Sequence, residues 1–368
     1  MIDRKLIQEN ISLAPFTTFR IGGPARYFAE ICNESEMIEA LDFAEQKALS
    51  VFILGGGSNI LVADEGFQGI VLRIAIKGIS SESCDGQVTI TAGAGEEWDD
   101  FVALCVKQNL GGVECLSGIP GLVGGTPVQN VGAYGQEVSE TITRVRVLDR
   151  REKRIVELSN ADCRFDYRRS IFNSSERERY IVLSVTYVVE KNKPPAIRYP
   201  DVKNFFAARK TELSLQDVRD AVRIIRSRKA MLITPDDPDC QSAGSFFKNP
   251  IISADEFENL ESTAQQLRLI NVDEQVPRFK TSDDKIKVPA AWLIERAGFQ
   301  KSYQKGRAGI SSKHTLALVN LGGASAKEII TLATEIQSRV REVFNITLFP
   351  EPLLIGFEPS CIRHLVQM

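Results

Sequence analysis

Two glycine-rich loops carry the strongest chemical signal in the chain. The first is Leu54-Gly55-Gly56-Gly57-Ser58-Asn59. The second opens with Ser117-Gly118-Ile119-Pro120, runs through Gly124-Gly125-Thr126 and Gln129-Asn130, and ends with Gly132-Ala133-Tyr134-Gly135. Glycine has no Cβ, so successive backbone N–H groups can close around phosphate oxygens, and a pyrophosphate suits such a cradle. GGGSN alone reads equally well as a tight turn. The six glycines between Gly118 and Gly135 make turns an insufficient reading for the pair. Neither loop follows GxGxxG with an acid about 20 residues later, which disfavours a Rossmann NAD site.

Other reactive side chains are weaker signals singly. Arg168 in Asp166-Tyr167-Arg168-Arg169 reads as a solvated strand residue, and Ser245 in Gly244-Ser245-Phe246-Phe247 as a turn residue. Glu351 stands between Pro350 and Pro352, which remove backbone donors and fix the chain direction, yet an exposed Pro-Glu-Pro turn is also common. Lys229 ends an arginine-rich stretch of the kind usually found as a solvated helix face. His314 reads as a structural or peripheral polar residue. The seven cysteines are scattered without a CxxC, and with two histidines no metal site is expected.

The elements that must position these residues form a mixed pattern. Asn33 and Glu36 make a capping box before Met37, Leu41, Ala44 and Ala48, at helical spacing. Val51–Leu54 is a short apolar strand feeding the first glycine loop. Val88, Ile90 and Ala92 alternate, and the acids of 96–100 open a helix. Residues 141–158 alternate around the charged turn 149–153, a hairpin that makes the region α+β. A basic amphipathic helix spans Val218 to Lys229, and the turn-rich stretch 234–239 comes next as a boundary. Ser325 and Glu328 cap a last helix whose stripe is Ile329, Leu332, Ile336, Val340 and Val343.

A chain of 368 residues, 43% hydrophobic and 25% charged, is that of a globular protein of two or three domains. A net charge of -3 gives no basic footprint for nucleic acid. The N-terminal MIDRKLIQENISL lacks the apolar core of a signal peptide, and no run of about 18 apolar residues occurs. The expected location is the cytoplasm, without membrane insertion.

Six ordered motifs together resemble one family. FTTFRIGGPA (Phe16 to Ala25), LGGGSNILV (Leu54 to Val62) and SGIPGLVGGTPVQNVGAYGQE (Ser117 to Glu137) look like the FAD-binding half of the UDP-N-acetylenolpyruvoylglucosamine reductases, the MurB family. CRFDYRRS (Cys163 to Ser170), AGSFFKNP (Ala243 to Pro250) and FPEPL (Phe349 to Leu353) resemble the motifs that supply its catalytic groups. Tyr199 resembles the tyrosine loop of the type I branch. The basic helix is richer in arginine than that family pattern leads one to expect.

The resemblance implies an α+β, vanillyl-alcohol-oxidase/PCMH-like FAD fold. FAD-binding subdomain 1 spans 1–72, with 348–368 returning to it, subdomain 2 spans 73–215, and a substrate-binding domain spans 216–347. It implies a monomeric NADPH-dependent flavoprotein that converts UDP-N-acetylglucosamine enolpyruvate to UDP-N-acetylmuramate for the bacterial wall, and so serves cell shape and division. By motif match, Arg168, Ser245 and Glu351 are catalytic, and Tyr167, Tyr199, Lys229 and Asn249 contact substrate. The residues named in the two glycine loops hold FAD. Adding two electrons and a proton to an alkene conjugated with a carboxylate drives charge into that carboxylate. Arg168 matches the cation placed there, a protonated Glu351 its acidic partner, and Ser245 the donor of the α-carbon proton, with Lys248 a candidate for tuning it. An FAD-linked sugar or alcohol oxidase of the same superfamily is one rival. Such oxidases often bind flavin covalently through histidine or cysteine in these loops, but no histidine precedes 314, so non-covalent FAD is expected. A non-catalytic flavin-binding module is the other, and it would not need the three catalytic residues.

Overall fold

The computed structural model describes residues 7–234, 237–271, 274–281 and 284–366. Parts of two sequence readings, the leader reading of 1–6 and the turn at Pro235-Asp236, lie outside the described residues. Packing divides the chain into two compact units. One comprises 1–11, 25–57 and 68–233, the other 12–24, 58–67 and 234–368.

The first unit holds two sheets around a shared core. A four-stranded sheet has the order Ile7–Ser12, Pro24–Ile31, Phe67–Ile74, Val51–Leu54, and its last two strands are parallel. The crossover helix α1 (Glu34–Gln46) starts at the expected N-cap, with Asn33 accepting from the Glu36 N–H at 3.0 Å, but the expected box is not closed on Asn33: Glu36 accepts from the Cys32 N–H, one residue earlier, at 2.7 Å. Met37, Ala40 and Ala44 are buried, whereas Ala48 lies beyond the helix in a left-handed turn and is exposed. The second sheet runs Arg154–Ser159, Ile142–Asp149, Tyr180–Lys191, Gln87–Gly93, Ile79–Cys84, all antiparallel, with the short strand Leu110–Gly111 joined to Tyr180–Lys191. The expected hairpin closes with Asp149 opposite Arg154.

Helix α2 (Trp98–Lys107) packs Trp98, Phe101, Val102 and Cys105 into this core beside Tyr187, with Phe101 and Tyr187 ring centroids 4.7 Å apart. α3 (Pro200–Phe205) is short. α4 (Leu215–Arg228) begins in a capping box of Ser214 and Asp217 and buries Val218, Val222 and Ile225 against Cys115, Tyr134 and Val202. The linear division at 215/216 groups α4 with the C-terminal part of the chain. In the fold α4 packs within the first unit, because these apolar side chains find their partners there, and the change of unit comes at 233/234.

The second unit is built on α5 (Ala254–Gln266), α6 (Ala290–Arg296) and α7 (Ala326–Phe344), with two three-stranded sheets of short strands. The stripe read for α7 is the buried one: Ile329, Leu332, Ile336 and Val340 are buried and Val343 is half-buried. Its Ser325–Glu328 capping box is present, and the Asp64 carboxylate accepts from the Ala326 and Lys327 N–H groups at 2.8 and 3.0 Å. An acid there complements the positive end of the helix dipole. Leu353–Ile355 pairs in parallel with Ile60–Val62, so the chain's end returns to the segment after the first glycine loop.

Candidate functional site

In the first unit the second glycine loop is fastened along the segment before α2. Trp98 N–H donates to the Gly121 carbonyl (3.0 Å), Val123 N–H to Glu96 (2.8 Å) and Gly124 N–H to Ala94 (2.9 Å). The indole of Trp98 donates to the Leu116 carbonyl at 3.1 Å, and the hydroxyls of Thr126 and Tyr187 lie 2.8 Å apart. Burial pushes the Tyr187 phenol far above its ordinary range, so this contact stays neutral. The buried Ser117 donates to the Glu114 carbonyl at 2.6 Å. The buried Asn130 donates to Glu137 (2.7 Å) and to the Asp166 carbonyl (3.1 Å) while accepting from the Ser139 N–H (3.2 Å). The side chains of Ser117, Thr126 and Asn130 thus shape the loop, and Gly132-Ala133 continues it as a strand paired with Gln136-Glu137.

The two glycine loops touch within this unit. A Cβ built on Gly56 would lie 2.6 Å from the Gly121 Cα, so only glycine permits the approach. Gly55 and Gly125 differ: among the described residues nothing lies within 4 Å of a Cβ built on either. Protein packing therefore demands glycine at 56 and leaves open space beside the backbone at 55 and 125.

Arg168 sits in a tight turn. Asp166 and Arg169 exchange backbone hydrogen bonds at 2.9 and 3.0 Å, and Arg168 has φ 54°. The left-handed conformation costs a residue with a Cβ about 1–2 kcal/mol. The turn is held from three sides, by Asn130 on the Asp166 carbonyl, Asn173 on the Arg168 carbonyl (3.1 Å) and Ser170 on the Val128 carbonyl (2.6 Å). The isolated motif suggested a strand. The structure instead bends it onto the second glycine loop, and the Arg168 guanidinium lies 5.8 Å from the ring centre of the exposed Tyr167.

Tyr199 caps α3 and meets Tyr134 edge-on, with centroids 5.6 Å apart. Lys229 comes directly after α4 and forms a 2.6 Å ion pair with Asp201, a partner that sequence reasoning missed. Burial alone would lower the Lys229 pKa, but the hydrogen bond and charge of Asp201 outweigh it, and the net direction is upward. A cation therefore persists beside Tyr134 and Tyr199.

In the second unit Ser245 and Glu351 lie on neighbouring segments. Ser245 bridges to Ala317, Phe247 to Pro350, and the Glu351 N–H donates to the Phe246 carbonyl at 2.8 Å. Phe246 and Phe247, next in the chain to Ser245, are buried at 0% and 1% exposure. A Cβ on Gly244 would meet nothing within 4 Å among the described residues, so the surface before Ser245 is open. Lys248 is exposed. Asn59 fastens the Glu351 segment, accepting from the Leu353 N–H at 3.0 Å and donating to the Glu351 carbonyl at 3.5 Å. The side-chain oxygen of Asn249 accepts from the Ala290 N–H at 2.9 Å, which fixes its orientation at the start of α6. His314 contributes its carbonyl to a turn with Ala317 (3.1 Å).

None of the seven cysteines is in a disulfide; burial pushes the thiols of Cys105, Cys115 and Cys163 up to about 12, well outside the range of a reactive thiolate. Among the described residues no cluster of three or more potential metal ligands occurs, and no helix is long and apolar enough to cross a membrane.

Comparison with known proteins agrees along the chain. The family model described as the C-terminal domain of UDP-N-acetylenolpyruvoylglucosamine reductase matches residues 236–355, and that of an FAD binding domain matches residues 25–159. The chain is 45% identical over 350 residues to the UDP-N-acetylenolpyruvoylglucosamine reductase of Thermobifida fusca, spanning 94% of this chain and 97% of that protein. Identity is 41% over 361 residues to that of Mycobacterium tuberculosis, spanning 95% of each. The crystal structure of UDP-N-acetylenolpyruvylglucosamine reductase from Thermus caldophilus superposes with a TM-score of 0.62 at 24% identity, covering 95% of this chain and 100% of that one. The architecture is the α+β, PCMH/VAO-like FAD-binding fold with an added C-terminal domain.

Proposed function

The chain belongs to the UDP-N-acetylenolpyruvoylglucosamine reductase family, and from this premise we propose that it reduces UDP-N-acetylglucosamine enolpyruvate to UDP-N-acetylmuramate. The electrons come from NADPH by way of non-covalent FAD, and the reaction serves peptidoglycan precursor synthesis in the cytoplasm, with the enzyme acting as a monomer. Segments 1–72, 348–368 and 73–215 serve FAD and 216–347 serves substrate, with α4 (Leu215–Arg228), which packs in the first unit, shared between the two tasks. The observation that carries the reading is the adjacency of Ser245 and Glu351, the backbone of one segment bonded to the other before an open surface. A non-catalytic flavin module has no need of that pair.

The cradle read in the two glycine loops fits the cofactor, since packing leaves open space beside the backbone at Gly55 and Gly125. Bound FAD supplies the two-electron carrier between NADPH and the enolpyruvyl β-carbon. The chain's own groups do the rest. Arg168 grips the substrate carboxylate with its fork and stabilises the charge that develops there. Glu351, held protonated, donates to the same oxygens. Ser245 delivers a proton to the α-carbon from one face, so the alkene gains a hydrogen with its bonding electron pair on the β-carbon, supplied in turn by NADPH, and a proton on the α-carbon. Lys229 takes the diphosphate, while Tyr167, Tyr199 and Asn249 bound the nucleotide sugar; the Asp201 pair holds Lys229 in position until then.

Gly56→Ala is expected to push the Gly121 backbone away and to lower the flavin:protein ratio after gel filtration at least about tenfold at limiting FAD, a cost typical of overpacking. Gly55→Ala should leave the apoprotein's melting temperature unchanged while still weakening flavin retention. If both variants retain full flavin, the cradle is misplaced. Steady-state kinetics test the function itself. NADPH and the sugar nucleotide are expected to use one pocket in turn, giving parallel ping-pong lines with inhibition by excess of each. A stable ternary complex of enzyme, NADPH and sugar nucleotide would contradict this.

A further inference from the structure

Three of the four arginines of α4 are not a solvated face. Arg219, Arg223 and Arg226 recur at helical spacing, and the first two converge on Asp99 in the first turn of α2. Arg219 reaches both carboxylate oxygens, at 2.6 and 3.0 Å, and Arg223 reaches one at 2.5 Å. The same carboxylate accepts from the Gly118 N–H at 2.6 Å. On the other side of Gly118 its carbonyl accepts from Nε of the buried Arg226 at 3.1 Å.

Both peptide planes that flank Gly118 are therefore held by charged side chains. The plane of 117–118 is fixed through its N–H and the plane of 118–119 through its carbonyl. In a trans peptide the N–H points opposite to the carbonyl. With the Gly118 carbonyl turned to Arg226, the Ile119 N–H points away from α4. Gly118 has φ 71°, a conformation that glycine adopts without penalty, so the clamp selects among accessible states and does not enforce a strained one. Burial opposes ionisation of Asp99, but its hydrogen bonds from Arg219 and Gly118 outweigh that and hold its pKa below the ordinary carboxylate range. Three guanidiniums beside one carboxylate also leave a surplus of positive charge beneath the loop, which favours an anion.

We infer that Asp99, Arg219 and Arg226 are positioning residues of the cofactor site, which fix the two peptides around Gly118 and thereby aim the Ile119 N–H at the dinucleotide. The inference rests on the reading that this loop binds FAD. It also gives the arginine-rich helix a role: α4 carries the loop clamp on one stretch and is followed directly by Lys229, the proposed substrate cation.

The test is FAD affinity of the apoprotein, monitored by quenching of flavin fluorescence, together with its melting temperature. Asp99→Ala and Arg226→Met are expected to raise the FAD Kd about 10- to 100-fold, the range lost with one charge-assisted hydrogen bond. Asp99→Asn keeps an acceptor for the Gly118 N–H and should recover most of that loss. Arg219→Gln should weaken FAD in the wild-type background and add little to Asp99→Ala, because it acts through that carboxylate. If Asp99→Ala does not fold, Arg219→Gln and Arg226→Met make the comparison. Folded Asp99→Ala, Arg219→Gln and Arg226→Met variants that all bind FAD within about threefold of a wild type that binds it tightly would overturn the inference while leaving the family reading intact. A wild type that never binds FAD would overturn that reading first and the inference with it.

Discussion

Replacing Ser245 by alanine is expected to leave reduction of the flavin by NADPH near its normal rate and to slow reoxidation by the enolpyruvyl substrate about 10²–10⁴-fold, the usual worth of a positioned general acid. The variant removes a hydroxyl without adding bulk. Its effect on packing should be small, because the buried bulk of the segment belongs to Phe246 and Phe247 and the segment is tied through backbone bonds to Leu316 and Glu351. Only the second half of the cycle needs a proton at the α-carbon, so the two halves should separate. Rapid-mixing absorbance of the flavin measures each one. Equal slowing of both would indicate disturbed flavin packing, and an unaffected second half would remove Ser245 from the mechanism.

Arg168→Lys is expected to cost about 10²–10³ in reoxidation, again with reduction by NADPH little changed. Lysine keeps the charge but offers a point cation where the developing carboxylate charge needs a planar fork. The turn that carries Arg168 is held by Asn130, Ser170 and Asn173 through bonds to backbone carbonyls. The backbone should therefore survive the change, and the melting temperature should stay within a few degrees of wild type. Single-turnover reoxidation checks the prediction; a lysine variant as fast as wild type would show that charge alone suffices or that Arg168 lies away from the reacting carboxylate.

Much of the fold was legible because its signals are local. The capping box at Ser325, the 3.6-residue stripe of α7 and the alternation of the 142–159 hairpin are each local in sequence and appear as read, while Asn33 caps α1 without the full box. Ala48 was misplaced because the helix ends at Gln46 in a left-handed turn that hydrophobic periodicity does not encode. The site was legible chiefly as motifs. The contacts that join them were not: Asp99 meets arginines 120 and 124 positions away, and Asn59 fastens Glu351 from 292 positions away. No local pattern announces such partners. The left-handed turn at Arg168 escaped for a related reason, since its support comes from Asn130 and Asn173 and not from its own sequence. The roles of the α4 arginines were not legible, because composition counts arginines but does not show that Asp99 and the Gly118 carbonyl receive three of them.

The central claim is that one bound flavin passes electrons from NADPH to the enolpyruvyl sugar nucleotide, and an anaerobic visible spectrum of the purified protein tests it most directly. The protein should be yellow, with colour released by acid precipitation. One equivalent of NADPH should bleach the flavin band, and UDP-N-acetylglucosamine enolpyruvate added afterwards should restore it fully, with a product heavier than the substrate by two hydrogens. A band that bleaches with NADPH but recovers only when oxygen is admitted would contradict the account and favour an oxidase.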